Sequence, residues 1–175
     1  LQGDFAEHQF VLESLGVEVV QVRLPQHLFE LNGLIIPGGE STTIGKLAVD
    51  FGLIQPLRLF GREHAIWGTC AGAIFLSKDA RRDQPLLELM DIQIARNAFG
   101  RQVNSFEADL SVPCLLKIDP KDKPYPTVFI RAPLIESVGP GVEVLAQLDD
   151  GRIVAAPQGP LLATSFTPEL TSDAR

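Results

Sequence analysis

The sequence predicts a three-layer α/β fold, with one mixed sheet covered by helices on both faces, built as a single domain from residues 1–175. Three observations support this. Apolar strand-like runs alternate with helical stretches in the first half, which is typical of a doubly wound sheet. Two of these runs, ending at Ile36 and Trp67, lead directly into glycine-rich turns. After Asp79, short strand-like runs follow one another with only turns between them, which indicates antiparallel or mixed pairing.

The first half reads as an ordered series of helices and strands. An apolar stripe predicts a helix over residues 4–15, which Gly16 ends. β-Branched residues predict a strand at 17–22, and 34–36 has the continuous apolar character of a buried parallel strand. The remaining predictions are one helical turn at 25–30, an interrupted helix at 42–60, a strand at 65–67 and a helix from there to about Lys78.

The second half predicts strands alone. They are expected at 92–96, 106–110, 128–131, 144–148, 153–156 and 161–166. The sequence Asp149-Asp150-Gly151-Arg152 predicts a hairpin turn before the strand at 153–156.

Composition excludes several classes of function. A net charge of −7 argues against nucleic-acid or membrane-surface binding, because both need a basic face. Two cysteines do not make a disulfide framework and favour a reducing, cytoplasmic location. His8, His27 and His64 lack the spacing of metal ligands, so no metal or other cofactor is expected. Both termini read as truncated, the first within a strand and the last within a helix.

The segment Gly68-Thr69-Cys70-Ala71-Gly72 carries the strongest chemical signal. It joins an apolar strand to a helix, which is the layout of a nucleophile elbow with cysteine in place of serine. At a helix N-terminus the dipole would favour the thiolate of Cys70. A buried structural cysteine in a tight turn explains the same five residues, so the segment alone leaves both interpretations open.

The loop Pro37–Thr43 lies at the same predicted sheet edge. Ser41 or Thr42 could simply cap the next helix, with Glu40 near its positive end. Alternatively, an exposed Gly39 N–H could join the Ala71 N–H in holding an oxyanion. We favour the second interpretation, because ligands of doubly wound sheets bind at this edge.

Two further segments complete a recognisable pattern. Residues 96–107 are densely polar with interleaved aromatic side chains, and Arg96 could bind a substrate carboxylate. Arg131 ends an otherwise apolar strand, although a surface ion pair is the commoner role of such an arginine.

In order and spacing, these motifs resemble the glutaminase subunits of pyridoxal 5′-phosphate synthase, a family of class I, triad-type glutamine amidotransferases. The glutaminase elbow is at 68–72, and Phe99-Gly100-Arg101-Gln102 with Phe129-Ile130-Arg131-Ala132-Pro133 narrows the resemblance to this subunit. The resemblance implies a flavodoxin-like sheet whose first strand lies before residue 1. It also implies hydrolysis of L-glutamine, with ammonia passed to a barrel-shaped synthase partner that makes pyridoxal 5′-phosphate.

The resemblance also assigns roles to single residues. Cys70 would form a glutamyl thioester, and Glu169 would orient the catalytic histidine. The glutamine-binding positions would be Gly39, Glu40, Ser41, Arg96, Ile130 and Arg131, with Gly39 and Ala71 as the oxyanion donors.

One position departs from the family. Thr167 stands where the family has its histidine, in Ser165-Phe166-Thr167-Pro168-Glu169. Threonine cannot carry a proton near neutral pH, so hydrolysis is expected to be impaired. Nothing in the sequence brings another histidine to Cys70. The alternatives are a non-catalytic glutamine-binding or regulatory subunit of the same synthase, and another kind of cysteine-elbow α/β protein.

Overall fold

The computed structural model describes residues 2–96, 105–117 and 123–175, and within them the predicted α/β architecture is confirmed. The helices are α1 (Phe5–Ser14), α2 (Ser41–Asp50), α3 (Ile54–Glu63) and α4 (Ala71–Leu76). Short 3-10 helices occupy Pro25–Leu28, Pro113–Lys117 and Pro168–Leu170. The predicted interrupted helix at 42–60 is therefore two helices, separated where Gly52 takes a left-handed φ of 65°.

Ten strands are assigned in the described residues. They are β1 (Gly33–Ile36), β2 (Ala65–Thr69), β3 (Ser77–Asp79), β4 (Met90–Ala95), β5 (Ser105–Leu110), β6 (Tyr125–Ile130), β7 (Leu134–Val138), β8 (Ala146–Gln147), β9 (Ile153–Gln158) and β10 (Leu161–Thr164). The main sheet has the order β1-β2-β10-β9-β7-β4-β3, with β8 paired to β9, and β5 and β6 form a separate antiparallel hairpin.

The register of three parallel strands places the two glycine-rich turns side by side. β1 and β10 both pair in parallel with β2, with Ile36 opposite Gly68 and Thr164 opposite Thr69. The residues that follow these strands therefore meet at one edge of the sheet. This is the edge where the sequence predicted a functional pocket.

Two apolar clusters stabilise this edge. All six residues of α4 are buried, and Phe75 and Leu76 are fully enclosed in the main core. In the second cluster, Phe129 packs edge-on against Phe166 with ring centroids 5.8 Å apart. The second cluster connects the β5–β6 hairpin to the segment that contains residue 167.

Several elements differ from the predictions. The predicted strand at 17–22 lies outside both sheets: this segment and β1 both line a cavity of about 590 Å³, and they do not pair with each other. The strands β3 and β7 were not predicted, since Ser77–Asp79 is short and polar and Leu134–Val138 contains Glu136 and Ser137 in its middle. The strand predicted at 144–148 is confined to β8.

No helix among the described residues is long and apolar enough to cross a membrane.

Candidate active site

Cys70 occupies a strained turn between β2 and α4. Its φ of 48° and ψ of −106° are unusual for a residue with a side chain. The Cys70 amide donates to the Thr164 carbonyl at 2.8 Å, which ties the turn to β10. Strain held in place by surrounding structure at a sheet edge is typical of a functional nucleophile. The geometry therefore agrees with the predicted elbow.

Glycine is required on both sides of Cys70 by close packing. A Cβ built on Gly72 would lie 1.9 Å from the Ile36 carbonyl oxygen, and one on Gly68 would lie 2.6 Å from the Gly72 carbonyl oxygen. Because these neighbours are backbone atoms, they cannot rotate away. The two glycines allow α4 to start against the end of β1.

The thiol of Cys70 is protonated at neutral pH. Burial is the main cause that raises its pKa from an ordinary value of 9.0 to about 11, and the charges of Glu169 and Asp4 contribute to the same rise. Hydrogen bonding by the Ala71 amide and the charge of Arg131 act in the opposite direction but are weaker. The N-terminus of α4 does favour the thiolate, through the Ala71 amide, but burial outweighs this effect and the net pKa is raised. Nucleophilic attack by this thiol consequently needs a base.

The glycine loop after β1 lies against the start of the chain. Gly39 has a φ of 138°, a conformation essentially restricted to glycine, and its Cβ position is 3.0 Å from the Gly3 Cα. The Asp4 amide donates to the Gly38 carbonyl at 3.1 Å. The first turn of α1 is thereby fixed beside Cys70 and the loop.

Glu40 links this loop to β4. It is the N-cap of α2, accepting from the Thr43 amide at 2.9 Å, so the predicted capping by Ser41 or Thr42 is wrong. Its other oxygen, Oε1, accepts from Arg96 Nη2 at 2.5 Å. A hydrogen bond from the Thr42 hydroxyl, together with those from the Thr43 amide and Arg96, lowers the pKa of Glu40 from 4.5 to about 2. Glu40 is therefore a permanent anion paired with Arg96.

The other predicted binding residues take different positions around the edge. Ser41 is buried and its hydroxyl lies 3.3 Å from Gln84 Oε1. Ile130 ends β6 and is 40% exposed, and Arg131 follows it with a left-handed φ of 43°. Arg131 lies near enough to Cys70 for its charge to lower the thiol pKa. Arg96 also has a buried Nη1 with no hydrogen-bond partner in the described residues.

Thr167 has its hydroxyl bound elsewhere. The hydroxyl donates to the Val128 carbonyl at 3.0 Å, and the Thr167 amide donates to the same oxygen at 2.9 Å. The residue is buried, at 4% exposure. Its side chain is thus a structural contact to β6 and offers no base to Cys70.

Glu169 is a buried carboxyl group without a well-formed hydrogen bond. Its side chain is completely enclosed, and neither carboxyl oxygen accepts or donates a hydrogen bond within the part of the chain described. Burial raises its pKa from 4.5 to about 7, helped by the charges of Asp4 and Glu7. This carboxyl group therefore titrates near neutrality.

His8 is the residue that sequence reasoning missed. It lies on α1 with its Nε2 atom 3.3 Å from Glu169 Oε2 and 3.3 Å from Thr69 Oγ1. Burial lowers its pKa from 6.5 to about 4, so the imidazole is neutral. No sequence signal could have indicated this approach, because His8 and Glu169 lie at opposite ends of the chain.

The described residues contain no group of three or more His, Cys, Asp and Glu side chains that could hold a metal ion. The motif Phe99-Gly100-Arg101-Gln102 lies outside the described residues. Cys70, Glu40, Arg96, Arg131 and Glu169 come from separate parts of the chain, and the structure brings them to one edge.

Comparison with known proteins agrees with this geometry. Residues 1–175 match the model of the SNO glutamine amidotransferase family. The chain is 58% identical over 180 residues to the pyridoxal 5′-phosphate synthase subunit PdxT of Herpetosiphon aurantiacus, covering 100% of this chain and 92% of that protein. It is 56% identical over 179 residues to the PdxT subunit of Roseiflexus sp., with the same coverage of both chains.

Solved structures give the same result. A crystal structure described as a glutamine amidotransferase shares 49% sequence identity and a TM-score of 0.91, covering 99% of this chain and 90% of the other. A putative GMP synthase subunit from Thermoplasma acidophilum, at 18% identity and a TM-score of 0.63, shares the fold. It is matched over 97% of this chain and 80% of its own. The resemblance inferred from the motifs is confirmed: the chain belongs to the SNO glutamine amidotransferase family.

Proposed function

We propose that this chain is the glutaminase subunit of a pyridoxal 5′-phosphate synthase. In this role it hydrolyses L-glutamine to glutamate and ammonia, and the ammonia passes to a barrel-shaped synthase partner. The proposal is supported by relatives named as the pyridoxal 5′-phosphate synthase subunit PdxT, at 51–58% identity across the full chain. A cytoplasmic location remains a prediction, with which the free thiols of Cys70 and Cys114 are compatible.

Glutamine would bind between the loop after β1 and the ends of β4 and β6. Arg96 and Arg131 supply positive charge for the substrate carboxylate, while Glu40 supplies negative charge for its ammonium group. The Glu40–Arg96 ion pair holds two of these groups in position before substrate arrives. The backbone of Gly39, with Ser41 and Ile130, would complete the contact surface.

The chemistry would begin with Cys70. Its sulfur attacks the side-chain amide carbon of glutamine, and the resulting oxyanion would be held by the N–H groups of Gly39 and Ala71. Ammonia leaves, a glutamyl thioester remains on Cys70, and water hydrolyses it. Both steps require a group that takes up and returns protons.

Thr167 impairs those proton transfers. Its hydroxyl is bonded to the Val128 carbonyl and does not titrate near pH 7, whereas the Cys70 thiol has a raised pKa and requires a base. Removing a triad member from such enzymes leaves about 10³–10⁴-fold catalysis over water, from binding and the oxyanion hole. We therefore expect slow hydrolysis rather than none.

The observation that carries the proposal is Cys70 in its strained turn, beside a glycine loop and a buried Glu169 carboxyl. Its test is ammonia release from glutamine by the chain assembled with its synthase partner. Thr167→His should raise the rate strongly. Ser172→His, which adds an imidazole at an exposed position of the same segment, should not. Equal rates in the parent chain and both variants would contradict the role assigned to residue 167.

A second candidate function is a non-catalytic, glutamine-binding subunit that regulates the synthase. It is favoured by the combination of Thr167, a protonated Cys70 and an intact Glu40–Arg96 pair. The two candidates differ in whether Cys70 reacts. Labelling of Cys70 by a glutamine-analogue electrophile, detected by mass spectrometry, supports the glutaminase. If glutamine changes the affinity of the chain for the synthase partner but Cys70 is not labelled, the regulatory subunit is supported.

A further inference from the structure

The buried pair of His8 and Glu169 lies directly beside the proposed nucleophile. The two side chains are 9% and 0% exposed, and His8 Nε2 is 3.3 Å from Glu169 Oε2. An isolated carboxylate buried in this way is unstable unless it is protonated or paired. Protonation of the Glu169 carboxyl group resolves this, and the neutral imidazole of His8 lies against it.

A space beside Gly38 connects this pair to Cys70. A Cβ built on Gly38 would lie 3.5 Å from the Cys70 Cβ and 3.9 Å from Glu169 Oε1. The same point is 3.1 Å from Asp4 Oδ2. Because glycine leaves this point empty of side chain, the thiol-bearing carbon and the carboxyl group border one common space.

We propose that Glu169, held against His8, exchanges the reaction protons with Cys70 across the space beside Gly38. This task belongs to the histidine that Thr167 replaces. The inference rests on the proposed glutaminase function. It explains the expected slow hydrolysis by proton transfer through Glu169 in place of the missing histidine. His8 is a positioning residue in this scheme, since it acts through Glu169.

Glu169 takes up and returns one proton in each half of the reaction. Its carboxylate takes the thiol proton as sulfur bonds to the amide carbon, and returns that proton to the amide nitrogen as the C–N bond breaks. In the second half, Glu169 takes a proton from the attacking water and returns it to sulfur as the C–S bond breaks. Glutamine and water thus give glutamate and ammonia, with Glu169 unchanged.

The electrostatic surroundings support this role. The pKa of Glu169 is about 7 and that of the neighbouring imidazole about 4, so a proton at this position resides on the carboxyl group and is exchangeable at neutral pH. The other charged and titratable groups around the space are Asp4, Glu7, Cys70, Tyr125 and Arg131. Asp4 and Glu7 hold the carboxyl pKa up, whereas Arg131 acts on the thiol.

The test is the pH profile of ammonia release between about pH 5.5 and 9, for the chain assembled with its synthase partner. The parent rate should be slow and should rise through an inflection near pH 7, as the carboxylate forms. In Glu169→Gln the inflection should disappear and the rate at pH 7.5 should fall about tenfold or more. The matched substitution Glu63→Gln, at an exposed position of α3, should behave like the parent.

Two further variants keep the outcome decisive. Gly38→Ala should fill the common space and slow the reaction. It therefore tests the proposal independently if Glu169→Gln fails to fold. Thr167→His separates the two hypotheses, because it should be active whenever the proposed function is correct. An unchanged profile in Glu169→Gln, or no ammonia from the parent when Thr167→His is active, overturns the proton route alone. No ammonia from any variant, Thr167→His included, overturns the proposed function.

Discussion

Replacing Glu169 by glutamine should make the stability of the fold respond to pH in a specific way. In the folded chain the carboxyl pKa is raised from 4.5 to about 7, so between these values the folded state holds a proton that the unfolded chain has released. The stability contributed by this proton is complete below pH 4.5 and is lost as pH rises through 7. At about 1.4 kcal/mol per pH unit, the loss amounts to about 3 kcal/mol.

A glutamine side chain at this position cannot ionise, so the variant escapes this loss. The stability of Glu169→Gln relative to the parent should therefore be about 2.5 kcal/mol greater at pH 8 than at pH 5. For a domain of this size, that difference corresponds to a relative rise in Tm of about 5–10 °C. Urea unfolding of both chains and of the exposed control Glu63→Gln, at the two pH values, measures it. A parent-to-variant difference that is the same at both pH values would refute the assignment of a raised pKa to Glu169.

Two more predictions concern the elbow. Cys70, with its pKa of about 11, should react with iodoacetamide more slowly at pH 7 than the exposed Cys114, and its rate should still be rising at pH 9. Alkylation timed by mass spectrometry compares the two cysteines, and faster labelling of Cys70 would contradict its raised pKa. Gly72→Ala should destabilise the fold by about 3 kcal/mol, because its Cβ would lie 1.9 Å from the Ile36 carbonyl oxygen. Gly33→Ala, whose nearest neighbour is at 3.4 Å, should have little effect in the same thermal unfolding assay, and equal Tm values for the two variants would count against the close-packing argument.

The sequence was most informative where local pattern and tertiary environment agree. The continuous apolar run of β1 and the run before Cys70 identified two parallel strands, although only Ile36 of β1 is buried, and the glycines after them identified the edge where the site lies. The elbow around Cys70 could be anticipated because its tight turn requires glycine at positions 68 and 72, where a Cβ would collide with neighbouring backbone. Family motifs then identified the amidotransferase relationship.

The remaining errors come from interactions that depend on distant residues. The segment 17–22 has β-branched composition, yet strand formation needs a neighbouring strand, and here the segment lines a cavity without pairing to any strand among the described residues. The Cys70 pKa depends on burial and on Glu169 and Asp4, neither of which is close in sequence. The approach of His8 to Glu169 joins residues from opposite ends of the chain, so no local pattern encodes it.

The central claim is that this chain retains a glutaminase site limited by the absence of histidine at position 167. The most direct measurement is kcat for ammonia release at pH 7.5, for the parent and Thr167→His, each assembled with the synthase partner and saturated with glutamine. A positioned general base typically contributes about 10²–10⁴-fold, so the variant should be faster by at least about 10²-fold. A parent chain that already releases ammonia as fast as Thr167→His would contradict the account.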